Sequence, residues 1–372
     1  MRDLIVFGED WGALPSSTQH LINHLSHSRK VLWVNSIGLR RPTLSWRDAK
    51  RAWQKLVAPA RAKVAQSHYT NRNIQVINPR TLPAPRNRLE RRIASTILGN
   101  QLRPLIDQAE LHQPILWTSL PTAVDMVEQL DSSALVYYCG DDFSALAGVD
   151  HRTVAMREAE LLQHADLILA ASEQLAMRFP QQRTQLLPHG VDFQLFSQPA
   201  QRAVDLPDDG RPIAGFYGSL SEWLDIELLQ ATIQQLPEWH FVFIGNAVVD
   251  ISPLQALPNT HFLGERAHAQ LPSYVQHWNA SLLPFRDNAQ IRACNPLKLR
   301  EYLAAGQPIV STPFPALRPY QSLLQTVSSV DEMVHALQNT LQQPPNHQQQ
   351  QSVMQHTWQA RADQVSLWLE AL

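Results

Sequence analysis

Short apolar runs recur along this 372-residue chain in two series, and they constrain its fold more than any other feature. Leu4–Phe7, Val31–Asn35, Ile74–Ile77, Ile115–Thr118, Leu135–Tyr138 and Leu167–Ala170 make up the first series. Ile213–Tyr217, His240–Ile244, His261–Leu263, Ala280–Leu283 and Pro308–Ser311 make up the second. A strand that is apolar without alternation has to be covered on both faces. Helical patterns separate several of these runs, among them 223–236, 267–278 and 296–305. That combination predicts α/β architecture with parallel sheets, one per series. The stretch 186–212, rich in Pro, Asp and Gly, reads as the connection between two domains. The expected division is an N-terminal domain over 1–190, a second over 191–350 and a C-terminal segment over 351–372 that returns to the first. Two such sheets predict a ligand cleft between the domains, outside the carboxyl ends of their strands.

The chain is long enough for two separate cores, and 44% apolar with 17% charged residues describes a folded rather than a disordered protein. Two cysteines, Cys139 and Cys294, make neither a disulfide framework nor a four-thiolate metal site and fit a reducing, cytoplasmic compartment. The opening MRDLIVFGED is too briefly apolar for a signal peptide, and no run approaches the length of a membrane span. A glutamine-rich stretch, 338–351, reads as a polar loop, followed by a final amphipathic helix carrying Val353, Trp358, Val365, Trp368 and Leu369.

The net charge of −2 conceals a segregation. Between Arg29 and Arg103 stand 17 lysines and arginines against two acids, whereas beyond residue 103 there are 13 against 28 acids. Two basic amphipathic segments lie in the positive part. In 43–64, Trp46, Ala49, Trp53, Leu56 and Val57 share a stripe opposite Arg47, Arg51 and Lys55; in 86–98, Leu89, Ile93 and Ile97 lie beside Arg88, Arg91 and Arg92. Basic helices with tryptophan suit an anionic membrane surface, so the protein is expected on the inner face of the cell membrane as a peripheral partner. Packing into a core and binding of nucleic-acid phosphates are the competing readings; no recognisable nucleic-acid motif accompanies the charges, and no nucleic acid is expected.

The chemistry-bearing positions concentrate in the second series. In GFYGSLSEWLDIELL (215–229) a strand ends at Gly218-Ser219 and opens towards a helix, where glycine permits close approach of a ligand and a helix N-terminus favours an anion. In NPLKLREYLAAGQPIVS (295–311), Asn295 reads as the N-cap and Pro296 as the first helical residue. Lys298, the last lysine in the chain, then stands in the first turn, and Glu301 lies one turn on along the same face. A helix N-terminus and an ammonium together suit a diphosphate, while the carboxylate suits the two hydroxyls of a ribose. The alternative is an i,i+3 ion pair on a solvated face. In the first series, Asp141 and Asp142 follow the strand LVYY and either could orient or deprotonate an acceptor hydroxyl, or cap the next helix. The loop GEDWGALPSS (8–17), with Trp11 and Gly12, is expected on the acceptor side by position. His20, His24 and His27 share a helix face without HExxH or an acidic third ligand, so no metal is expected.

NPLKLREYLAAGQPIVST resembles the signature segment of the group 1 (family four) glycosyltransferases of GT-B fold, most closely the bacterial branch acting in surface-polysaccharide and teichuronic-type assembly. GFYGSLSEWLDIELL, the P-H-G-V-D-F-x-x-F turn at 188–196 and YYCGDDFSAL at 137–146 carry the same resemblance. It implies two Rossmann-like domains with a C-terminal helix crossing back to the first. It also implies metal-independent transfer of a sugar, with retention, from a UDP- or GDP-sugar to a glycan or lipid-linked acceptor, with no further cofactor. The donor set would be Gly218, Ser219, Arg292, Asn295, Lys298, Leu299 and Glu301, with Glu301 on the ribose and Lys298 at the diphosphate; Asp141 and Asp142, candidates by their position, would serve catalysis with Lys298 where many relatives use a histidine. One departure stands out: the sugar-contacting glutamate of many members falls on Ala293, leaving Arg292, Asp287 and Asn295 as candidates for the sugar. A sugar-nucleotide epimerase of the same fold, or a non-catalytic nucleotide-sugar-binding relative, are the alternative readings.

Overall fold

The structure is a computed structural model that describes residues 1–12, 16–36, 72–82, 85, 87–143 and 150–372. The basic segment 43–64, the tip of the 8–17 loop and the end of 137–146 lie outside the described residues. The chain divides into two units, one formed by Met1–Pro188 with Arg361–Leu372 and the other by His189–Ala360.

The first unit is built on seven parallel strands: β1 (Leu4–Phe7), β2 (Val31–Val34), β3 (Ile74–Ile77), β4 (Ile115–Thr118), β5 (Ala134–Cys139), β6 (Leu167–Ala170) and β7 (Thr184–Leu186). Their order is β3-β2-β1-β4-β5-β6-β7. Every residue of β1, β2, β4, β5 and β6 is buried, which is why those runs show no polar alternation. The edge strand β7, Thr-Gln-Leu, has no apolar signature and escapes a reading based on one.

The second unit holds β8 (Ile213–Tyr217), β9 (His240–Ile244), β10 (Thr260–Gly264), β11 (Ala280–Leu283), β12 (Ile309–Ser311) and β13 (Gln325–Thr326), in the order β10-β9-β8-β11-β12-β13. These strands are parallel as well. In each unit the first strand lies between strands reached by opposite windings, so the strand order reverses between β1 and β4 and between β8 and β11. Ligands of open α/β sheets bind beyond the carboxyl ends at such a point. Gly215 in β8 is required by packing: a Cβ there would lie 1.6 Å from the Trp278 ring.

Local structure departs from the expectations in four places. The helix after β8 starts only at Ile226, capped by Asp225, whose side chain accepts from the amide of Leu228 (3.0 Å). Between Gly218 and that helix the chain instead extends the ladder, with buried Leu220 bridging Ala247. The 267–278 pattern resolves into a turn, His268–Gln270, and a short helix, Pro272–Val275. The glutamine-rich stretch is not a loop throughout, since His347–Val353 is helical and buried Gln349 donates to the carbonyl of Leu323 (2.7 Å). Val353 therefore belongs to that helix, and the last helix is Trp358–Ala371.

The last helix is tied into the first unit through Arg29. Its buried guanidinium donates to Ser366 Oγ (2.8 Å), Glu370 Oε1 (2.7 Å) and the carbonyl of Arg2 (2.6 Å). A buried arginine needs such a set of acceptors to offset the loss of its hydration.

Candidate functional site

Within the second unit the carboxyl ends of β8, β9 and β10 are finished by glycines in left-handed backbone: Gly218 (φ +129°), Gly245 (φ +134°) and Gly264 (φ +71°). Gly218 and Gly245 pack backbone to backbone, since a Cβ on Gly245 would come within 2.2 Å of the Gly218 carbonyl. On its other side Gly218 abuts Lys298: a Cβ there would lie 2.8 Å from the Lys298 ammonium. The β8 glycine and the lysine, 80 residues apart in sequence, are thus brought into direct contact.

Lys298 comes from the first turn of the helix Leu297–Ala305. The N-cap is Pro296, in extended backbone, and not Asn295 as expected. Asn295 is diverted: its side-chain carbonyl accepts from the buried Arg300 guanidinium (2.5 Å), a stronger, charge-assisted partner than a helix amide. Proline has no amide to lose, so the helix begins with the N–H groups of Leu297 and Lys298 beside the Lys298 ammonium. That ammonium lies 5.0 Å from the ring centre of Phe216 and 5.6 Å from that of Phe285. Burial lowers its pKa, against the opposing charge of Glu301. A cation held by two ring faces and short of water is stabilised by an incoming anion. Leu299, next to it, is fully buried and serves the core.

Glu301 is buried one turn along the helix. One carboxylate oxygen accepts from His268 Nε2 (2.7 Å) and the other from the Tyr217 hydroxyl. Burial would lower the His268 imidazole, but the hydrogen bond to Glu301 and the charges of Glu301 and Asp192 outweigh it and raise its pKa. Tyr217 is pushed well above the ordinary phenol value by burial and then by the Glu301 charge, so its hydroxyl stays a donor. Neither residue was singled out from the sequence. Tyr217 immediately precedes Gly218 in the quoted motif, and that adjacency was its available signal; His268, 33 residues from Glu301, carries none.

The remaining donor candidates have other surroundings. Arg292 and Asp287 are exposed and paired to each other, Nε to Oδ1 at 2.6 Å and Nη2 to Oδ2 at 2.7 Å. Ala293 is buried at the end of the short helix Ala289–Ala293. Ser219 is half-buried beside Gly218.

In the first unit the carboxyl ends of β1 and β5 carry Glu9, Asp10, Asp141 and Asp142. Asp142 forms an ion pair with Arg178, which also approaches Glu158 (3.7 Å), itself bonded to Tyr137 (2.6 Å). Asp141 is exposed and its carboxylate makes no hydrogen bond or ion pair among the described residues. The protein mass around its carboxyl and then the charge of Asp142 raise its pKa. Glu9 accepts from Ser16 and Gln19, and burial raises it too, with Asp10 and Asp141 adding. Trp11 is buried edge-on against Trp33 (4.7 Å between ring centres) and its amide donates to Asn35 (2.8 Å), so its ring belongs to the core. Gly12, by contrast, is exposed, with its amide on Gln19 (3.1 Å). Among the described residues no three His, Cys, Asp or Glu side chains are placed to hold a metal ion.

Residues 211–343 match the family described as Glycosyl transferases group 1. A protein of Bacillus subtilis (strain 168) assigned to teichuronic acid biosynthesis as the glycosyltransferase TuaH is 25% identical over 255 residues, which span 62% of this chain and 64% of that one. The chain thus matches somewhat under two thirds of that relative's length. Among solved structures, sucrose-phosphate synthase from Thermosynechococcus elongatus superposes with a TM-score of 0.71 at 16% identity, covering 100% of this chain and 99% of that one. Anabaena Alr3699/HepE in complex with UDP-glucose gives 0.65 at 14% identity with 100% of both chains covered. These likenesses fix the fold: two Rossmann-like domains of the GT-B type.

Proposed function

We propose that this chain, whose residues 211–343 match the Glycosyl transferases group 1 family, moves a sugar from a nucleotide diphosphate sugar to a glycan or lipid-linked acceptor. The observation that carries this reading is the contact of Gly218 with Lys298 at the point where the second sheet reverses its winding. The glycine backbone admits a diphosphate closely, and the lysine and the first-turn amides supply positive charge where the leaving group gains negative charge. Glu301 takes the ribose hydroxyls. No metal is needed in this reading, since the lysine and the helix terminus take over the leaving group's charge. Similarity to structures solved with UDP and UDP-glucose supports a uridine donor over a guanosine one. Retention of configuration follows the family resemblance and is read from the anomeric signal of the first product by NMR.

Asp141 is assigned to the acceptor hydroxyl, in preference to Asp142, because Arg178 neutralises Asp142. For the acceptor's setting, the helix Arg88–Ala109 adds a further support. Leu89, Ile93 and Ile97 are exposed at 69%, 43% and 40%, and Arg88 and Arg92 stand exposed beside them. An apolar stripe at i, i+4, i+8 flanked by arginines fits the surface of an anionic membrane, with the protein on its cytoplasmic side. No described helix is long and apolar enough to cross a membrane.

Calorimetry with Lys298→Ala is the direct test. Binding of UDP should weaken by roughly tenfold or more and kcat should fall with it, because the leaving diphosphate gains charge in the transition state. Unchanged binding and turnover would sink the assignment. Sedimentation with phosphatidylglycerol-containing vesicles should fall steeply as salt rises and be lost in Ile93→Glu; salt-insensitive sedimentation rejects the membrane reading.

A further inference from the structure

We infer that His268 and Tyr217 are positioning residues for Glu301, and that the proton on His268 sets how strongly the site takes an anionic nucleotide. The inference rests on the reading of Glu301 as the ribose acceptor. Its geometric basis is that two separate elements converge on one buried carboxylate carried by a third. His268 Nε2 reaches Oε1 at 2.7 Å from the turn after β10, and the Tyr217 hydroxyl reaches Oε2 from the end of β8. Both donors are themselves held. The Tyr217 ring stacks on Trp278 (17° between planes) and meets Tyr302 edge-on at 5.0 Å. His268 has Phe196 edge-on at 5.4 Å, and its turn is closed by the Ala267 amide donating to Gln270 Oε1 (3.0 Å).

Two donors on the two oxygens fix the carboxylate plane as well as its position, which a single bond does not do. Fixing the plane lets one carboxylate accept from two neighbouring hydroxyls without losing side-chain entropy at the moment of binding. Tyr217, pushed well above the ordinary phenol value, stays un-ionised over the working range and keeps this geometry across it. His268 is different. Two carboxylates influence it, Glu301 directly and Asp192 at longer range; Asp192 is also engaged in capping the helix Phe193–Ser197 through the amide of Leu195 (3.2 Å). Lys298 is the cation coupled to the same glutamate.

A neutral imidazole still donates from Nε2, so deprotonation keeps the hydrogen bond and removes only the charge. With His268 protonated, the Glu301–His268 pair is neutral. Once the proton leaves, the pair carries a net negative charge close to the bound nucleotide. Affinity for a diphosphate is therefore highest below the raised His268 pKa and falls as pH rises through it, by roughly three- to tenfold at ordinary ionic strength.

The test is calorimetric titration of the full chain with UDP-glucose, and separately with GDP-mannose, from about pH 5.5 to 9. Both probes carry a diphosphate whose charge is constant over that range, and below about pH 8, where neither base ionises, any slope belongs to the protein. The wild type should lose affinity with rising pH through one ionisation. His268→Gln should bind at the wild type's high-pH level throughout, without a slope. Tyr217→Phe should keep the slope at lower affinity, and this variant carries the test if His268→Gln does not fold. A pH-independent wild type, a sloping His268→Gln protein, or a Tyr217→Phe protein with wild-type affinity overturns the inference and leaves the nucleotide-sugar reading standing. A wild type that binds neither probe at any pH overturns both.

Discussion

At the scale of single residues, the site is a set of close approaches that tolerate no added atom. Gly218→Ala would place a methyl 2.8 Å from the Lys298 ammonium in a backbone region unfavourable to side chains. The backbone term alone is of the order of 1–2 kcal/mol, and Lys298 must move. We therefore expect a lowered Tm together with weaker UDP binding, read by thermal denaturation and calorimetry on one preparation; wild-type affinity would mean the lysine does not face the diphosphate. The two aspartates should separate in the opposite sense. Asp141→Asn should abolish turnover and leave Tm nearly unchanged, whereas Asp142→Asn strips Arg178 of its closer partner and should lower Tm. Equal loss of turnover with equal Tm in the two variants would remove the distinction. Residues were also where the sequence was least legible. Lys298 and Glu301 stand on one face by helical period alone, but which side chains grip Glu301 depends on the ends of two distant strands.

At the scale of elements, the helix Leu297–Ala305 is held at both ends by different means. Its start is set by Pro296, and its end by Gly306 in left-handed backbone, whose carbonyl accepts from the Asn346 amide (2.7 Å). Gln350 adds a bond from Nε2 to the carbonyl of Ala304 (3.1 Å). The glutamine-rich stretch thus satisfies carbonyls that a helix end leaves unpaired. Low complexity suggested a loop because glutamine has no preferred burial; the bonds that order it lie about 46 residues away in sequence, at Ala304. Gly306→Ala should cost about 1 kcal/mol from the backbone conformation, with a methyl also crowding Gln350 at 3.4 Å. Urea denaturation checks this, and a change below ~0.3 kcal/mol would contradict it. Strands were legible where an apolar run carries them, the half-buried edges β3 and β10 included, and illegible at the other two edges, β7 and β13, where short polar segments complete a sheet by backbone pairing alone.

For the whole molecule, the two windings were readable because parallel sheets impose continuous apolar runs, and a right-handed crossover leaves few orders to choose from. The return of the final helix to the first unit was implied by family likeness; what holds it there, Arg29, was not read from the sequence at all. The Arg29 hydrogen bond keeps the Glu370 carboxyl below its ordinary value. A lowered carboxylate pKa adds stability above the ordinary glutamate range, and that stability is lost as pH falls through the lowered value. The acid limb of the Tm–pH curve should therefore be shallower in Glu370→Gln than in the wild type; the effect is small because Glu370 is partly exposed. Identical acid limbs would show that the pair contributes nothing.

The first unit is discontinuous in sequence, and this has a consequence for how the protein is made. Residues 1–188 are synthesised before the second unit, yet the helix that supplies acceptors to Arg29 is encoded after it. Until residues 366–370 are made, that guanidinium lacks two of its acceptors, Ser366 and Glu370, and the surface the helix covers is open to water or to a chaperone. The second unit is contiguous and can complete its sheet while still tethered. Synthesis and completion thus run in opposite orders: the unit begun first is closed last.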